Sequence, residues 1–202
     1  MTGTTFIHTS DFQLGMTRWF LKGEAQGRFN DDREAAIVRL GELAKDTGAD
    51  FIVVAGDVFE HNALSRDILA RATEMFKRLP VPVYVLPGNH DPLVADSVFY
   101  KASADNVHVI ADSEPIEVAP GVELVGAPYL SKRANHDLVR QALEPLEPAE
   151  GIRIAVGHGQ VDSRSGEDDA DTIDLAFVED CLDRGVIDYL ALGDTHSTAS
   201  LG

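Results

Sequence analysis

The sequence is poor in cysteine, in positive charge and in long apolar runs. Its single cysteine, Cys181, excludes a framework of intramolecular disulfides. Lysine and arginine number 17 against 34 acidic residues, and the resulting net charge of −17 repels phosphate backbones unless a local basic patch or bound cations intervene. No apolar run approaches the ~20 residues of a membrane span, and the N-terminus lacks the regions of a secretory signal. We expect a soluble, acidic, cytoplasmic protein.

The remaining composition and its patterning are those of an α/β domain. Hydrophobic residues make up 44% and charged residues 25%, which is typical of globular chains. Continuous apolar segments at 51–55, 81–86, 152–156 and 189–192 predict buried strands, and shorter ones at 5–8, 107–110, 116–118 and 122–125 predict the others. Helices are predicted from a capping box at 31–34 to Gly48, after Ser65, at about 137–143 and at about 175–184. With neither repeat nor linker, residues 1–202 are expected to form a single domain.

Polar residues that can bind metals follow the predicted strands at the point where each strand ends. Because ligand sites of α/β sheets assemble at the carboxyl ends of strands, we expect these residues to converge on one edge. One such cluster alone is typical of a turn, but five in register are not expected by chance. The clusters are Asp11-Phe12-Gln13, Gly56-Asp57, Gly88-Asn89-His90-Asp91, Gly157-His158-Gly159 and Gly193-Asp194-Thr195-His196.

The order of these clusters resembles the calcineurin-like metallophosphoesterases. Two segments, at 6–11 and 82–91, are most similar to the SbcD-type nuclease branch of that family, whose bacterial members pair with an SbcC ATPase. The resemblance runs from about Phe6 to His196, nearly the whole chain. It implies a layered α-β-β-α sandwich with its site at the carboxyl ends of the strands. It also implies a metal-dependent phosphodiester hydrolase, of the SbcD-like DNA exonuclease type.

The resemblance further implies a role for each cluster residue. Two divalent cations would lie about 3.5–4 Å apart, lower the pKa of a shared water that attacks phosphorus, and hold a phosphate oxygen. His90 matches the position that protonates the leaving group, and Asp91 would orient His90. The first metal's ligand positions are matched by Asp11, Gln13, Asp57 and His196, and Asp57 bridges to the second metal, which Asn89, His158 and Asp194 complete.

Two of these positions depart from the family pattern, which has histidine where this chain has Gln13 and Asp194. Both changes exchange an imidazole nitrogen for an oxygen ligand. Hard oxygen ligands favour Mn²⁺ or Mg²⁺ over zinc, so we expect two manganese ions, with magnesium or iron as the alternatives.

The segment 15–30, which follows the first cluster, is a local exception to the acidic charge. It carries three basic residues against one acidic residue, with three aromatic residues interleaved. Cations for phosphates and rings for base stacking suit a single-stranded nucleic-acid channel, to which we assign Arg18, Trp19 and Arg28. The alternative is a lid whose aromatic side chains pack on the body of the domain.

Two other functions stay open at this stage. A small-molecule phosphodiesterase or phosphatase would suit the acidic surface. A scaffold without catalysis would suit the changes at Gln13 and Asp194, although the presence of His90 argues against it. DNA and an SbcC-like ATPase are the partners that the resemblance suggests. SbcD-like nucleases continue beyond this domain into a DNA-facing capping domain, so we expect that the chain is truncated at its C-terminus.

Overall fold

The polypeptide forms two four-stranded sheets in a computed structural model that describes residues 3–102, 104–161 and 172–196. The first sheet is parallel throughout, with the order β1 (Phe6–Thr9), β2 (Phe51–Val54), β3 (Val83–Val85) and β4 (Val107–Val109). The second has the order β5 (Ile116–Ala119), β6 (Val122–Gly126), β7 (Ile152–His158) and β8 (Tyr189–Gly193), and β5 alone runs antiparallel to its neighbour. The helices are α1 (Glu24–Thr47), α2 (Arg66–Phe76), α3 (Leu138–Leu143) and α4 (Leu175–Asp183), with a 3-10 turn at Val98–Tyr100.

The two sheets face each other, and helices cover their outer faces. Alternate residues of β2 divide between two apolar clusters: Phe51 and Val53 pack with residues of the second sheet such as Leu124, whereas Ile52 and Val54 pack under α1 and α2. This division follows from the two-residue period of a strand. The second sheet divides in the same way, with its outer residues under α3 and α4. The layering confirms the predicted α-β-β-α sandwich.

The first helix begins earlier than the sequence predicted. It starts at Glu24, after Gly23, and not at the capping box predicted at 31–34. None of its residues before Ile37 is buried, because this half of the helix lies away from the core. An exposed half shows no apolar periodicity, so the pattern could reveal only the buried half. The end of the helix at Gly48, in the left-handed conformation, is as predicted.

Smaller predictions have mixed outcomes. Ser65 caps α2 as expected, since its hydroxyl accepts from the Ile68 N–H, but the helix ends at Phe76. Cys181 is buried in the outer cluster of the second sheet. Within the described ranges, no helix is both long enough and apolar enough to cross a membrane.

Candidate metal centre

The cluster residues meet where the strands of both sheets end. The loops after β1 and β2 stay paired through backbone hydrogen bonds, among them one of 3.0 Å from the Asp11 N–H and one of 2.8 Å from the Gln13 N–H, so Asp11, Gln13 and Asp57 lie together. In the second sheet, β7 and β8 stay in parallel register to their last residues, so His158 and Asp194 lie side by side. The parallel strands thus converge on one edge, as the sequence predicted.

The backbone is strained at this edge. In the part of the chain that the structure describes, five residues other than glycine have positive φ angles, a conformation that costs on the order of 1–3 kcal/mol each. All five are predicted metal ligands. Such strain persists only where surrounding structure enforces it, and it concentrates at functional sites. The five are Asp11 (56°), Gln13 (44°), Asp57 (52°), Asp194 (97°) and His196 (51°).

His158 is the centre of one group of possible ligands. One ligand atom each of Asp11, Asp57 and His158 lie within 4.8 Å of one another. Three side-chain oxygens surround the His158 Nε2 atom, at 3.1 Å on Asn89, 3.4 Å on Asp57 and 3.8 Å on Asp194. The close approach of β8 depends on Gly193, because a Cβ there would overlap the carbonyl oxygen of Ala55.

Asp11 is the centre of a second group beside the first. Its Oδ1 atom lies 3.3 Å from His196 Nε2, which in turn lies 3.2 Å from the Gln13 amide nitrogen. Its Oδ2 atom accepts the Asp194 N–H at 3.1 Å and the Ser10 hydroxyl. The structure therefore brings together all the predicted metal-binding residues: Asp11, Gln13, Asp57, Asn89, His158, Asp194 and His196.

The ring of His158 is oriented for binding a cation. Its Nδ1–H donates to the Ala55 carbonyl at 2.8 Å, which turns Nε2 towards the side-chain oxygens. Since those oxygens are acceptors too, either a proton or a cation must lie between them and Nε2. Burial alone would lower the pKa of His158, but the hydrogen bond and charge of Asp57 raise it to about 9. Burial likewise opposes ionisation of Asp57, yet His158 brings the pKa of that carboxyl below its ordinary value.

The residues present fit divalent cations. The Asp11 Oδ1 atom is buried and has no hydrogen-bond partner within the described segments, which is costly unless a cation lies beside it. Burial also raises the pKa of Asp194, with the nearby Asp11 and Asp57 charges adding to the effect, and a cation would remove that penalty. Carboxylate oxygens, amide groups and two imidazoles form a donor set that suits manganese or magnesium.

His90 lies at the rim of this centre, but Asp91 does not orient it. The His90 Nδ1 atom is 3.1 Å from the backbone carbonyl of Glu60 and 3.9 Å from its carboxylate, and Nε2 faces Asp57 Oδ2 at 4.0 Å. The predicted role of Asp91 is wrong, because both its oxygens accept backbone N–H groups elsewhere. Sequence reasoning missed Glu60, and its one signal was its position three residues after Asp57, just beyond the Gly56-Asp57 cluster.

Asp91 instead ties two loops of the site together. Its fully buried carboxylate accepts the N–H groups of Phe59 and Gly88, both at 2.8 Å. Burial raises the pKa of Asp91 to about 7, although both hydrogen bonds favour its charged form. Its place in the fold is therefore that of a structural link between the loops after β2 and β3.

Asp91→Ala is expected to destabilise the fold by about 3 kcal/mol, because two buried N–H groups lose their acceptor. Urea denaturation measures the change. The exposed Glu42 on α1 offers a control, and Glu42→Ala should stay within about 0.5 kcal/mol of the parent protein. Equal stability of Asp91→Ala and the parent would show that the carboxylate does not hold the loops.

The residues assigned to substrate lie on the surface, in the part of the chain that follows Gln13. Trp19 is 91% exposed and meets only the edge of Phe20 among the ring contacts, so it does not pack on the body as a lid would. Part of the predicted loop is helix, and Arg28 lies on α1, exposed and paired with Glu24 at 3.2 Å. Arg18 precedes the helix, and its N–H donates to the Gln26 side chain.

Comparison with known families covers almost the whole chain. Residues 4–198 match the sequence model of the calcineurin-like phosphoesterases. The chain belongs to this family. The resemblance noted in the sequence is thereby confirmed, and with it the enzyme class, a metallophosphoesterase. The family uses divalent metals, in agreement with the group of Asp11, Asp57 and His158.

Individual relatives are similar to this chain over nearly its whole length. The chain is 26% identical over 206 residues to the uncharacterized metallophosphoesterase YhaO of Bacillus subtilis, covering 97% of this chain and 49% of that protein. It is 22% identical over 226 residues to the SbcD subunit of the nuclease SbcCD of Staphylococcus epidermidis, covering 96% and 57%. The chain thus spans about half the length of these relatives. The crystal structure of TT1561 of Thermus thermophilus superimposes with a TM-score of 0.60 at 13% identity, over 99% of this chain and 85% of that one, and shows the shared fold.

Proposed function

We propose that this metallophosphoesterase hydrolyses phosphodiesters and acts on DNA as an SbcD-like nuclease. The observation that carries the proposal is the convergence of three carboxylates, two amide groups and two imidazoles on one edge, with His90 at its rim. Similarity to a nuclease subunit over 96% of the chain supports the choice of a nucleic-acid substrate. We also propose that the protein works in the cytoplasm, with an SbcC-like ATPase as a partner.

The chain's own residues account for the parts of such a reaction. Two bound cations would supply an activated water and positive charge for the phosphate oxygens. Asp57, which has a ligand atom within 4.8 Å of those of Asp11 and His158, would hold both cations. The leaving oxygen needs a proton, and His90 is the residue that offers one. Because Nδ1–H of His90 donates to the Glu60 carbonyl, the protonated ring carries its second proton on Nε2, the atom that faces the site.

We propose manganese as the metal of this centre. The calcineurin-like family has histidine at the positions of Gln13 and Asp194, and both residues lie among the predicted metal ligands. The donor set is therefore richer in oxygen than a histidine-dominated site. Hard cations prefer such ligands, whereas a soft thiolate donor is absent from the described site.

The segment 16–22, whose residues 17–20 are exposed, supports contact with single-stranded DNA. Trp19 presents a ring to solvent, and Arg18 stands beside it on the loop after β1. Bases stack on such rings while cations hold the phosphates, and one stacked base contributes on the order of 1–3 kcal/mol. Arg28 contributes less, because Glu24 partly neutralises it.

The combined change of Arg18→Ala and Trp19→Ala tests this substrate. We expect kcat/KM for a single-stranded oligonucleotide to fall about tenfold relative to that for bis-p-nitrophenyl phosphate. The exposed Lys45, in the last turn of α1, gives a matched control for loss of charge. A fall shared equally by both substrates would contradict the channel. Efficient hydrolysis of the small diester with no hydrolysis of DNA would favour a small-molecule phosphodiesterase, which the charge of −17 also suits.

A further inference from the structure

A cavity of about 400 Å³ lies beside the metal centre, at the carboxyl end of β6. Its walls come from the loop 127–136, from the start of α3 and from residues 112–113 after β4. The volume is within the range of small-molecule sites, about 300–1,000 Å³. The loop leaves the second sheet at β6, next to the strand that ends in His158, whereas segment 16–22 leaves the first sheet at β1.

Tyr129 forms the partition between this cavity and the metal centre. Its ring meets the ring of His158 edge-on, with 6.1 Å between the centroids. Its backbone N–H donates to the Pro87 carbonyl at 3.0 Å, and its carbonyl accepts the Leu93 N–H at 2.8 Å. These bonds fix the loop against the segment that carries Asn89 and His90. A molecule in the cavity would therefore lie next to a phosphate held at the centre.

The lining combines apolar surface with a few polar groups at the rim. Pro128, Leu130 and Leu138 supply the apolar part. At the rim, the His136 ring is held at both nitrogens, by Asn135 Oδ1 at 2.7 Å and by Gln141 Oε1 at 2.6 Å. A flat ring with polar edges, such as a nucleobase, matches this division between apolar wall and polar rim.

The charge of the loop suits a phosphate. Ten residues at 127–136 include Lys132 and Arg133 and no acidic residue, in a chain whose net charge is −17. Across the described ranges, no ion pair joins Arg133 to a carboxylate, and its side chain lines the cavity. On the facing wall, Asp112 accepts the Glu114 N–H at 3.0 Å within its own turn.

We infer that this cavity binds the nucleoside next to the scissile phosphate, with Arg133 holding a neighbouring phosphate group. The inference rests on the proposed phosphodiesterase function and adds a second contact surface for a DNA strand. Segment 16–22 lies on the β1 side of the centre, and the cavity lies on the β6 side. A strand that touches both would pass over the metals between them.

The test compares two small diesters that differ by one nucleoside and its 3′-phosphate. They are thymidine 3′-phosphate 5′-(p-nitrophenyl phosphate), whose 3′-phosphate is the neighbouring group that Arg133 would hold, and bis-p-nitrophenyl phosphate, assayed with Mn²⁺. For Arg133→Ala we expect the ratio of their kcat/KM values, nucleoside ester over bis ester, to fall about tenfold, since a charge-assisted hydrogen bond is lost. Leu130→Asp, at the 61% exposed rim residue, should lower the same ratio by placing a negative charge there.

Arg184→Ala is the matched control, because Arg184 ends α4 at the opposite edge of the sheets and is largely exposed. An Arg133→Ala ratio equal to that of this control would overturn the inference and leave the phosphodiesterase function standing.

A second measurement separates the inference from the proposed function. Calorimetric titration with thymidine 3′,5′-bisphosphate in EDTA reports on binding in the cavity without catalysis or metal. We expect binding by the parent protein and by Arg184→Ala, and about tenfold weaker binding by Arg133→Ala. If the parent protein hydrolyses neither ester but the three proteins bind as expected, the proposed function is overturned and the nucleoside site stands. Equal binding by all three proteins, or none by the parent, would overturn the nucleoside site.

Discussion

Asp57→Asn is expected to reduce Mn²⁺-dependent hydrolysis of bis-p-nitrophenyl phosphate about 1,000-fold or more in kcat/KM, because a metal site supplies several kcal/mol of transition-state stabilisation. Asp57 is the carboxylate with a ligand atom within 4.8 Å of those of both Asp11 and His158, around which the two groups of ligands lie. One of its oxygens faces His158 Nε2 and the other accepts the His90 N–H at 3.0 Å. Asparagine keeps the volume but removes the charge and one acceptor atom. The change therefore weakens both cation positions without opening a cavity.

Metal titration tests the same prediction without measuring activity. Calorimetry with Mn²⁺ should show two bound ions in the parent protein and fewer, or weaker, binding events in Asp57→Asn. The matched control is Asp46→Asn, an exposed carboxylate at the far end of α1, which should leave both ions bound. Full activity of Asp57→Asn would show that Asp57 does not bridge the two metal ions.

The wild-type protein in the same assay separates the remaining alternatives. Two bound manganese ions without turnover would favour a scaffold, the function that the changes at Gln13 and Asp194 suggested. Turnover with Zn²⁺ and none with Mn²⁺ would contradict the argument from oxygen ligands. Turnover with Mn²⁺, abolished in Asp57→Asn, would establish a working diesterase.

The convergence of the ligands was predictable because it depends on local rules. Parallel strands end at a common edge, so a polar residue directly after a strand must lie near its counterparts. Asp57 follows a strand buried on both faces, and His158 ends another. The apolar runs that identify these strands also identify their carboxyl ends, so the five clusters could be located from the sequence, whereas the seven ligand positions within them were chosen from the resemblance to the family.

Other parts of the site depend on contacts that no local pattern encodes. The link between His90 and Glu60 runs through a backbone carbonyl, and the carboxylate of Asp91 reaches backbone N–H groups 3 and 32 residues away. Backbone groups leave no mark in the sequence, so the partner of His90 was expected to be a carboxylate, that of Asp91, and not a backbone carbonyl. The cavity behind Tyr129 was missed for a related reason, because it arises from the path of a loop.

The close approach of the strand ends explains why glycines accompany the ligands. Strand ends that approach this closely leave no room for a Cβ at some positions. Gly88 is the clearest case, because a Cβ there would overlap Asp57 Oδ1 and lie 2.5 Å from the Asp57 backbone nitrogen. Unlike several neighbours, Gly88 does not have a positive φ angle, so a substitution tests the close approach without the effect of backbone strain.

Gly88→Ala is therefore expected to weaken Mn²⁺ binding about 10–100-fold, the usual range for changes that displace a ligand from outside the coordination shell. The added methyl group must push the Asp57 carboxylate or the loop after β2, and such overpacking costs about 1–3 kcal/mol of stability. Calorimetry measures the first effect and urea denaturation the second.

The control is Gly27→Ala on α1, where a Cβ meets nothing within 4 Å. Alanine there should stabilise the exposed helix by up to about 1 kcal/mol and leave metal binding intact. If Gly88→Ala binds manganese as tightly as Gly27→Ala does, the Asp57 carboxylate moves aside without loss of metal affinity. The bridging geometry would then not depend on the close approach of the two loops. Weaker binding in Gly88→Ala alone would instead show that a residue touching no metal sets the position of the central carboxylate.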